Sequence, residues 1–220
     1  MSRSNPESPL RVVALISGRG SNLQALIDEA AAGRIPASIV AVISNRSDAV
    51  GLTRAQRAGI ATAVVDHREF PDRETYDTAL QKVIDRYDPD LVVLAGFMRI
   101  LSDPFVAHYA GRMMNIHPSL LPKYRGLHTH ERAIEAGDHV SGATVHFVTS
   151  ELDGGPIIVQ TQVPVLADDT PDTLAARVLA QEHRIYPLAV KWFAEGRLGL
   201  DNNRVILDGL PLRSAPVFEE

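Results

Sequence analysis

The sequence predicts an α/β fold, with a mostly parallel central sheet flanked by helices and antiparallel additions in the C-terminal half. Three observations predict it. Short apolar runs alternate with helical stripes from residue 11 to residue 116, the pattern of repeated strand–helix–strand units. The run Leu91-Val92-Val93-Leu94-Ala95 is apolar at every position, as a strand covered on both faces requires. Beyond residue 140 the pattern changes. The apolar runs 143–149 and 157–165 are separated by a loop too short to hold a crossover helix, which leaves antiparallel pairing.

Each element has a local reason. Residues 11–16, Arg-Val-Val-Ala-Leu-Ile, read as a buried strand. A helix follows over 21–32, opened near Ser21 or Asn22 and closed by Gly33, a residue free to take the left-handed conformation. Residues 38–44 form the second strand, 49–58 a helix stopping at Gly59, and 61–65 the third strand. The helix over 72–87 carries Tyr76, Leu80, Val83, Ile84 and Tyr87 on one stripe, and Asp88-Pro89 ends it. Strands four and five are 91–95 and 112–116. A long helix spans 171–195, with Trp192 and Phe193 expected as core anchors. Residues 198–200 and 205–207 flank Asp201-Asn202-Asn203 as a hairpin. There is no internal repeat and no linker, so a single domain is expected over 10–220. Residues 1–9, polar and rich in Pro and Ser, are expected to be a disordered leader.

Composition narrows the chemistry. The chain has 220 residues and no cysteine, which rules out disulfides, thiol catalysis and thiolate metal sites. No apolar run approaches the ~18 residues of a membrane span, and the start has no apolar core of a signal peptide. A cytoplasmic protein is expected, with no membrane partner. The net charge of −5 argues against general affinity for nucleic acid. Small molecules are the expected partners, and a homodimer is compatible with the sequence.

Strand one runs into Ser17-Gly18-Arg19-Gly20-Ser21-Asn22 and then a helix. Glycines let backbone approach an anion, and a helix N-terminus offers unpaired N–H groups and partial positive charge. The match to named motifs is incomplete. Leu23 stands where a dinucleotide fingerprint needs its third glycine, and no Gly-Lys-Ser/Thr follows for a P-loop. A monophosphate suits the loop better than a dinucleotide. A tight strand–helix turn with no ligand is the plainer interpretation of the same residues.

The densest chemistry lies in Asn115-Ile116-His117-Pro118-Ser119-Leu120-Leu121-Pro122. On a strand, Asn115 and His117 project from the same face. Pro118 then ends the strand at its carboxyl end, where ligands of open α/β sheets bind. Ser119, directly after a proline and outside any Gly-x-Ser-x-Gly elbow, reads as a cap and not a nucleophile. An acid can come from Leu152-Asp153-Gly154-Gly155-Pro156. Alone, the His is a structural hydrogen-bonding residue and the Asp-Gly-Gly a turn. Together they suit acyl transfer without a covalent enzyme intermediate. Asn115 donates to a developing oxyanion, His117 handles the proton, and Asp153 holds His117 protonated, with its pKa expected above ~6.5. The pair His128-Thr129-His130, with His117 and His146, has metal-like spacing, but no carboxylate-rich segment accompanies it and no metal is expected.

In order along the chain, several segments resemble the folate-dependent phosphoribosylglycinamide formyltransferases, also called glycinamide ribonucleotide transformylases. They are the loop at 17–22, Leu94-Ala95-Gly96-Phe97-Met98-Arg99-Ile100-Leu101, the run 115–124, Gly126-Leu127-His128-Thr129-His130, Val145-His146-Phe147-Val148, Glu151-Leu152-Asp153-Gly154-Gly155-Pro156 and Gln181-Glu182-His183. The resemblance implies a single formyltransferase-like α/β domain with a mononucleotide-binding N-terminal half. It implies transfer of the formyl group of 10-formyltetrahydrofolate, as donor cosubstrate, to the glycinamide amine in purine biosynthesis. It places the substrate phosphate on Gly20, Ser21 and Asn22, and the ribonucleotide against Leu179, Ala180, Gln181 and Glu182. It places folate against Arg73, Met98, Arg99, Ile100, Leu101, Asn115, Thr149, Ser150, Glu151, Leu152 and Asp153. Asn115, His117 and Asp153 match the family's catalytic trio.

One position departs from the pattern: Arg125 stands where members of this family often carry Pro. Lys-Tyr-Arg-Gly is closer to the methionyl-tRNA formyltransferases, which share the Asn-x-His-Pro-Ser-Leu-Leu-Pro segment. Those enzymes carry a further C-terminal domain for which 220 residues leave no room, and they lack the Gly-Arg-Gly-Ser-Asn loop. The formyltetrahydrofolate hydrolases are also related, but they bear an N-terminal regulatory domain. A non-catalytic nucleotide- or folate-binding protein on the same fold would differ from an enzyme by lacking the trio, which is intact here.

Overall fold

The computed structural model describes residues 8–218. The expected leader at 1–9 lies outside these through residue 7. The chain forms two compact units, one ending at Met114 and the other starting at Asn115.

The first unit contains β1 (Leu10–Ile16), α1 (Ser21–Ala31), β2 (Ala37–Ser44), α2 (Val50–Arg57), β3 (Ala61–Val64), α3 (Arg73–Asp85), β4 (Leu91–Leu94) and α4 (Asp103–His108). Its strands lie in the order β3-β2-β1-β4. All are parallel, with Ile16 beside Ser44, Ser44 beside Val64, and Leu15 beside Leu94. That register brings the segments after all four strands to one edge, which is what positions the site. β1 is central, and Val12 through Ile16 are fully buried. Burying each of the larger side chains stabilises the unit by roughly 1.5–3 kcal/mol relative to exposure.

The helices follow their sequence signals. Gly20 turns the chain into α1 at φ 69°, and Leu23, Leu26 and Ile27 are its buried apolar face. Asp72 caps α3 by accepting from the Thr75 amide at 2.8 Å, and Tyr76, Leu80 and Ile84 are buried as the stripe requires. Asp77, on the same helix, is also buried and accepts from the Ser102 amide at 2.6 Å.

The second unit holds the end of β5 (Met113–His117), within which the boundary falls, then α5 (Thr129–Glu135), β6 (Val140–Phe147), β7 (Ile157–Pro164) and α6 (Pro171–Ala194). A small antiparallel meander follows, β8 (Leu198–Asp201), β9 (Arg204–Leu207) and β10 (Leu210–Pro211), and then β11 (Val217–Phe218). Here the order is β11-β7-β6-β5. β6 and β7 pair antiparallel as expected, with a register shift between Val145 and His146. The hairpin between β8 and β9 turns through Asn202 and Asn203, both at positive φ. α6 packs on β6 and β7 and starts with a Thr170/Thr173 capping box.

Three expectations change. Trp192 and Phe193 are only half-buried. The core side of α6 is Leu174, Val178, Ile185, Tyr186, Ala189 and Val190, and Trp192 instead lies under the Arg197 guanidinium, 6.0 Å from it. Ser119 caps no helix: its hydroxyl donates to the Lys123 carbonyl at 2.7 Å and closes the loop after β5. Helices α4 and α5 are additions to the expected elements, being six and seven residues long and so too short to display a stripe.

Candidate functional site

In the first unit the segments following β1, β2, β3 and β4 enclose a cavity of about 510 Å³. The whole loop from Ser17 to Asn22 lines it, with Asn45, Arg46, His67, Met98 and Arg99. The carbonyls of Gly18 and Arg19 are taken by α2, through the Gly51 amide at 3.0 Å and Arg54 Nε at 2.9 Å. A Cβ on Gly20 would stand 2.7 Å from Gly51 Cα, so the two backbones meet at a distance that only glycine permits. The arrangement suits an anion, with a helix N-terminus and the Arg19, Arg46 and Arg99 side chains around one opening.

Ser17 joins this loop to the segment after β4. Its hydroxyl donates to Asn45 Oδ1 at 2.6 Å and accepts from the Met98 amide at 2.8 Å, while its own amide donates to the Gly96 carbonyl at 3.0 Å. The segment itself alternates. Met98 and Ile100 are 64% and 57% exposed, Leu101 is buried, and the buried Nε of Arg99 has no hydrogen-bond partner. Exposed apolar side chains beside an unused donor are the equipment for a flat ring with a polar edge. Arg73 opens α3 and pairs loosely with Glu74 at 3.8 Å; it does not line the cavity.

In the second unit Asn115, His117 and Asp153 come together, and His146 joins them. His117 Nδ1 is 3.4 Å from Asp153 Oδ2, with both side chains 8% exposed. His146 Nε2 is 3.7 Å from Asp153 Oδ1 and 3.2 Å from Asn115 Nδ2. The His146 Nδ1–H donates to the Phe147 carbonyl at 2.9 Å. Its Nε2 therefore accepts from Asn115 when neutral and pairs with Asp153 when protonated. The His117 Nε2–H donates to the Tyr124 carbonyl at 2.9 Å. Both ring nitrogens of His117 are thus engaged by protein.

Asp153 sits at φ 48°, in the left-handed region that Asp tolerates better than most residues. The Gly126 amide donates to its Oδ2 at 2.9 Å. Arg125 and Glu151, in contact as an ion pair, tie the same two loops together. Gly155 lets the second loop fold against β6, since a Cβ there would collide with the Phe147 carbonyl.

Burial pushes the His117 pKa below its ordinary value, against the Tyr124 carbonyl and the Asp153 charge, which both favour the cation. This corrects the expected rise. A ring so thoroughly removed from water loses more solvation as a cation than one carboxylate at 3.4 Å returns. Asp153 behaves conventionally: burial pushes its pKa up, but His146, the Gly126 amide and His117 together hold it below the usual carboxylate range. The pair is therefore a carboxylate beside a ring that favours neutrality.

The remaining expected residues are placed but not gathered into a cavity. Thr149 is half-buried, and Ser150, Glu151 and Leu152 form the exposed outside of the Asp153 loop. Leu179, Ala180, Gln181 and Glu182 form one turn of α6, where Glu182 is buried and the Gln181 Oε1 is buried without a partner. Sequence reasoning misses His146 as a partner of the trio, the Tyr124 carbonyl, the Gly126 amide, and Asn45, Gly51 and Arg54 around the loop. The one available signal is His146 itself, in an apolar strand; the register shift beside it, of the kind that re-aims side chains, is not legible in the sequence. Among the described residues no group of three or more His, Asp or Glu side chains is placed to hold a metal ion, and none of the helices is long and apolar enough to cross a membrane.

Known proteins resemble this chain in sequence and in fold. The family model described as formyl transferase matches residues 10–190. The phosphoribosylglycinamide formyltransferase of Escherichia coli K12 is 58% identical over 200 residues, covering 91% of this chain and 94% of that protein. The solved structure of the phosphoribosylglycinamide formyltransferase of Coxiella burnetii superposes with a TM-score of 0.92 at 56% identity, over 96% of this chain and 100% of that one. A formyltetrahydrofolate deformylase from Pseudomonas syringae shares the fold at a TM-score of 0.85 and 27% identity, over 92% of this chain and 67% of its own.

Proposed function

Because this chain belongs to the formyl transferase family, we propose that it moves the formyl group of 10-formyltetrahydrofolate onto the amine of N1-(5-phospho-D-ribosyl)glycinamide. The products are the N2-formyl compound and tetrahydrofolate, in a step of purine biosynthesis. The observation that carries this reading is the Asn115–His146–Asp153–His117 cluster at the end of β5, with every member within 3.7 Å of another. The relatives at 56–58% identity bear the transferase name, whereas the deformylase stands at 27%.

Gly20, Ser21 and Asn22 take the substrate phosphate, and the turn from Leu179 to Glu182 takes the ribose end, with Glu182 on the ribose hydroxyls. The exposed Met98 and Ile100, with the unpaired Arg99 Nε–H, fit the folate donor, which supplies the formyl group. Asn115 directs its amide N–H groups at the carbonyl oxygen as negative charge develops there. When substrate replaces the Tyr124 carbonyl at Nε2, the single ring proton of neutral His117 moves to Nδ1 against Asp153, and the freed Nε2 takes the proton of the attacking amine and returns it to the departing nitrogen. Asp153 stabilises the imidazolium that forms in between, a role that needs a carboxylate beside a ring neutral at rest. No metal ion enters this scheme, and the protein is assigned to the cytoplasm with small-molecule partners.

The test is an assay of purified protein with both substrates in the presence of a chelator, following tetrahydrofolate. Release should depend on the ribonucleotide. Equal release without it would identify a hydrolase and overturn the reading.

A further inference from the structure

We propose that Arg54, together with the Gly51 amide, fixes the orientation of two consecutive peptide planes in the Ser17–Asn22 loop, and so acts as a positioning residue for phosphate recognition. The inference rests on the phosphate reading of that loop and names what makes the loop selective.

The Gly51 N–H donates to the Gly18 carbonyl at 3.0 Å, and Arg54 Nε donates to the Arg19 carbonyl at 2.9 Å. A trans peptide is planar, and its C=O and N–H point in opposite directions. Two carbonyls held against α2 therefore turn the N–H groups of Arg19 and Gly20 away from α2. No residue of α2 lines the cavity, whereas all six loop residues do, so these N–H groups face the cavity side. They join the N–H groups at the N-terminus of α1, where the helix dipole is positive.

α2 reaches the loop only because both contact residues are glycine. A Cβ on Gly51 would stand 2.5 Å from Ile16 Cδ1 and 3.2 Å from Gly20 Cα. Arg54 also reaches Gln24 Oε1 at 3.3 Å through Nη1, so its guanidinium is braced on α1 while it holds the loop. Without Arg54, the Arg19 carbonyl is free to rotate and present its oxygen to the anion, which replaces a donor by an acceptor. Arg54 thus differs from Arg19 and Arg46, which line the cavity as cations. Its contribution is the direction of a backbone dipole.

The experiment uses Arg54→Ala and Arg54→Gln, each checked for wild-type melting. Calorimetry measures the binding of glycinamide ribonucleotide and of its dephosphorylated riboside. We expect the variants to bind the ribonucleotide about 10-fold more weakly (about 1.4 kcal/mol), with riboside binding unchanged. Amide NMR during titration with inorganic phosphate should show the Arg19 and Gly20 N–H signals moving downfield in the wild type and not in Arg54→Ala. Unchanged ribonucleotide affinity, equal losses for both ligands, or phosphate-dependent shifts that persist in Arg54→Ala would overturn the role. A wild-type protein that does not distinguish the two ligands would remove the phosphate assignment itself.

Discussion

Replacing Asp153 by Asn tests the centre of the proposed mechanism with the smallest change in shape. The Oδ2 that accepts from the Gly126 amide at 2.9 Å can remain an oxygen, which directs the new NH₂ group towards His146, now 3.7 Å away. The loop therefore keeps its anchor and only the charge is lost. The carboxylate lies 3.4 Å from His117 Nδ1 in surroundings that leave both side chains 8% exposed, so salt and water screen it little. Unit charges about 4 Å apart interact by about 4 kcal/mol at an effective dielectric constant near 20. If that attraction is realised when His117 becomes charged during the reaction, turnover falls by about three orders of magnitude, within the roughly 10²–10⁴-fold range of lost acid–base catalysis. The His117 pKa, already below its ordinary value through burial, should fall further. The assay pairs single-turnover formyl transfer with NMR titration of His117. Ribonucleotide binding, measured by calorimetry, should be unaffected. Normal turnover with an unmoved His117 titration would leave Asp153 as a turn residue and refute the scheme. Stability gives a second check. The Asp153 pKa is lower in the folded protein than in the unfolded chain, so its contribution is present above the ordinary carboxylate pKa and lost as pH falls through the folded value. The difference in stability between wild type and variant should therefore shrink in acid.

Three further outcomes are expected. Gly20→Val should weaken ribonucleotide binding far more than folate binding in calorimetry, because φ 69° disfavours a β-branched residue and its Cβ would stand 2.7 Å from Gly51 Cα; equal losses for the two ligands would contradict the loop's assignment. His117, with a folded pKa below the unfolded one, contributes stability that is complete above about pH 6.5 and is lost as pH falls through the folded value, so denaturant melts from pH 7.5 to 5 should show a slope that His117→Asn reduces. Arg125→Ala removes the exposed tie to Glu151 and should cost about 0–1 kcal/mol in denaturant melts, with a turnover loss of only a few-fold since the Gly126 bond to Asp153 remains; a loss as large as that of Asp153→Asn would place Arg125 among the reacting groups.

Much of this protein is written locally. β1 and β4 announce themselves as apolar runs, and β4 and the stretch Val12 through Ile16 of β1 are buried throughout as inner strands must be. Alternation along β5 is enough to put Asn115 and His117 on one face. Gly20 and the Asp72 cap mark helix starts by chemistry confined to a few residues. Asp153 is identifiable from composition, an acid between turn residues within a chain carrying one strand-end amide–imidazole pair.

The sequence could not supply what depends on register and burial. His146 meets Asn115 across 31 residues, and the Gly126 amide meets Asp153 across 27. No periodicity encodes such distances, because they follow from strand pairing, a bulge and loop packing. α2 holds the Ser17–Asn22 loop through Gly51 and Arg54 for the same reason: backbone partners of a loop are chosen by the element packed against it. Trp192 and Phe193 defy the expectation of core anchors because hydrophobicity gives a preference for the interior without saying which side of a helix faces it. The sign of the His117 shift is the sharpest case. From sequence the nearby acid argues for a rise, and only the folded chain determines how much water the ring loses, which here outweighs the charge.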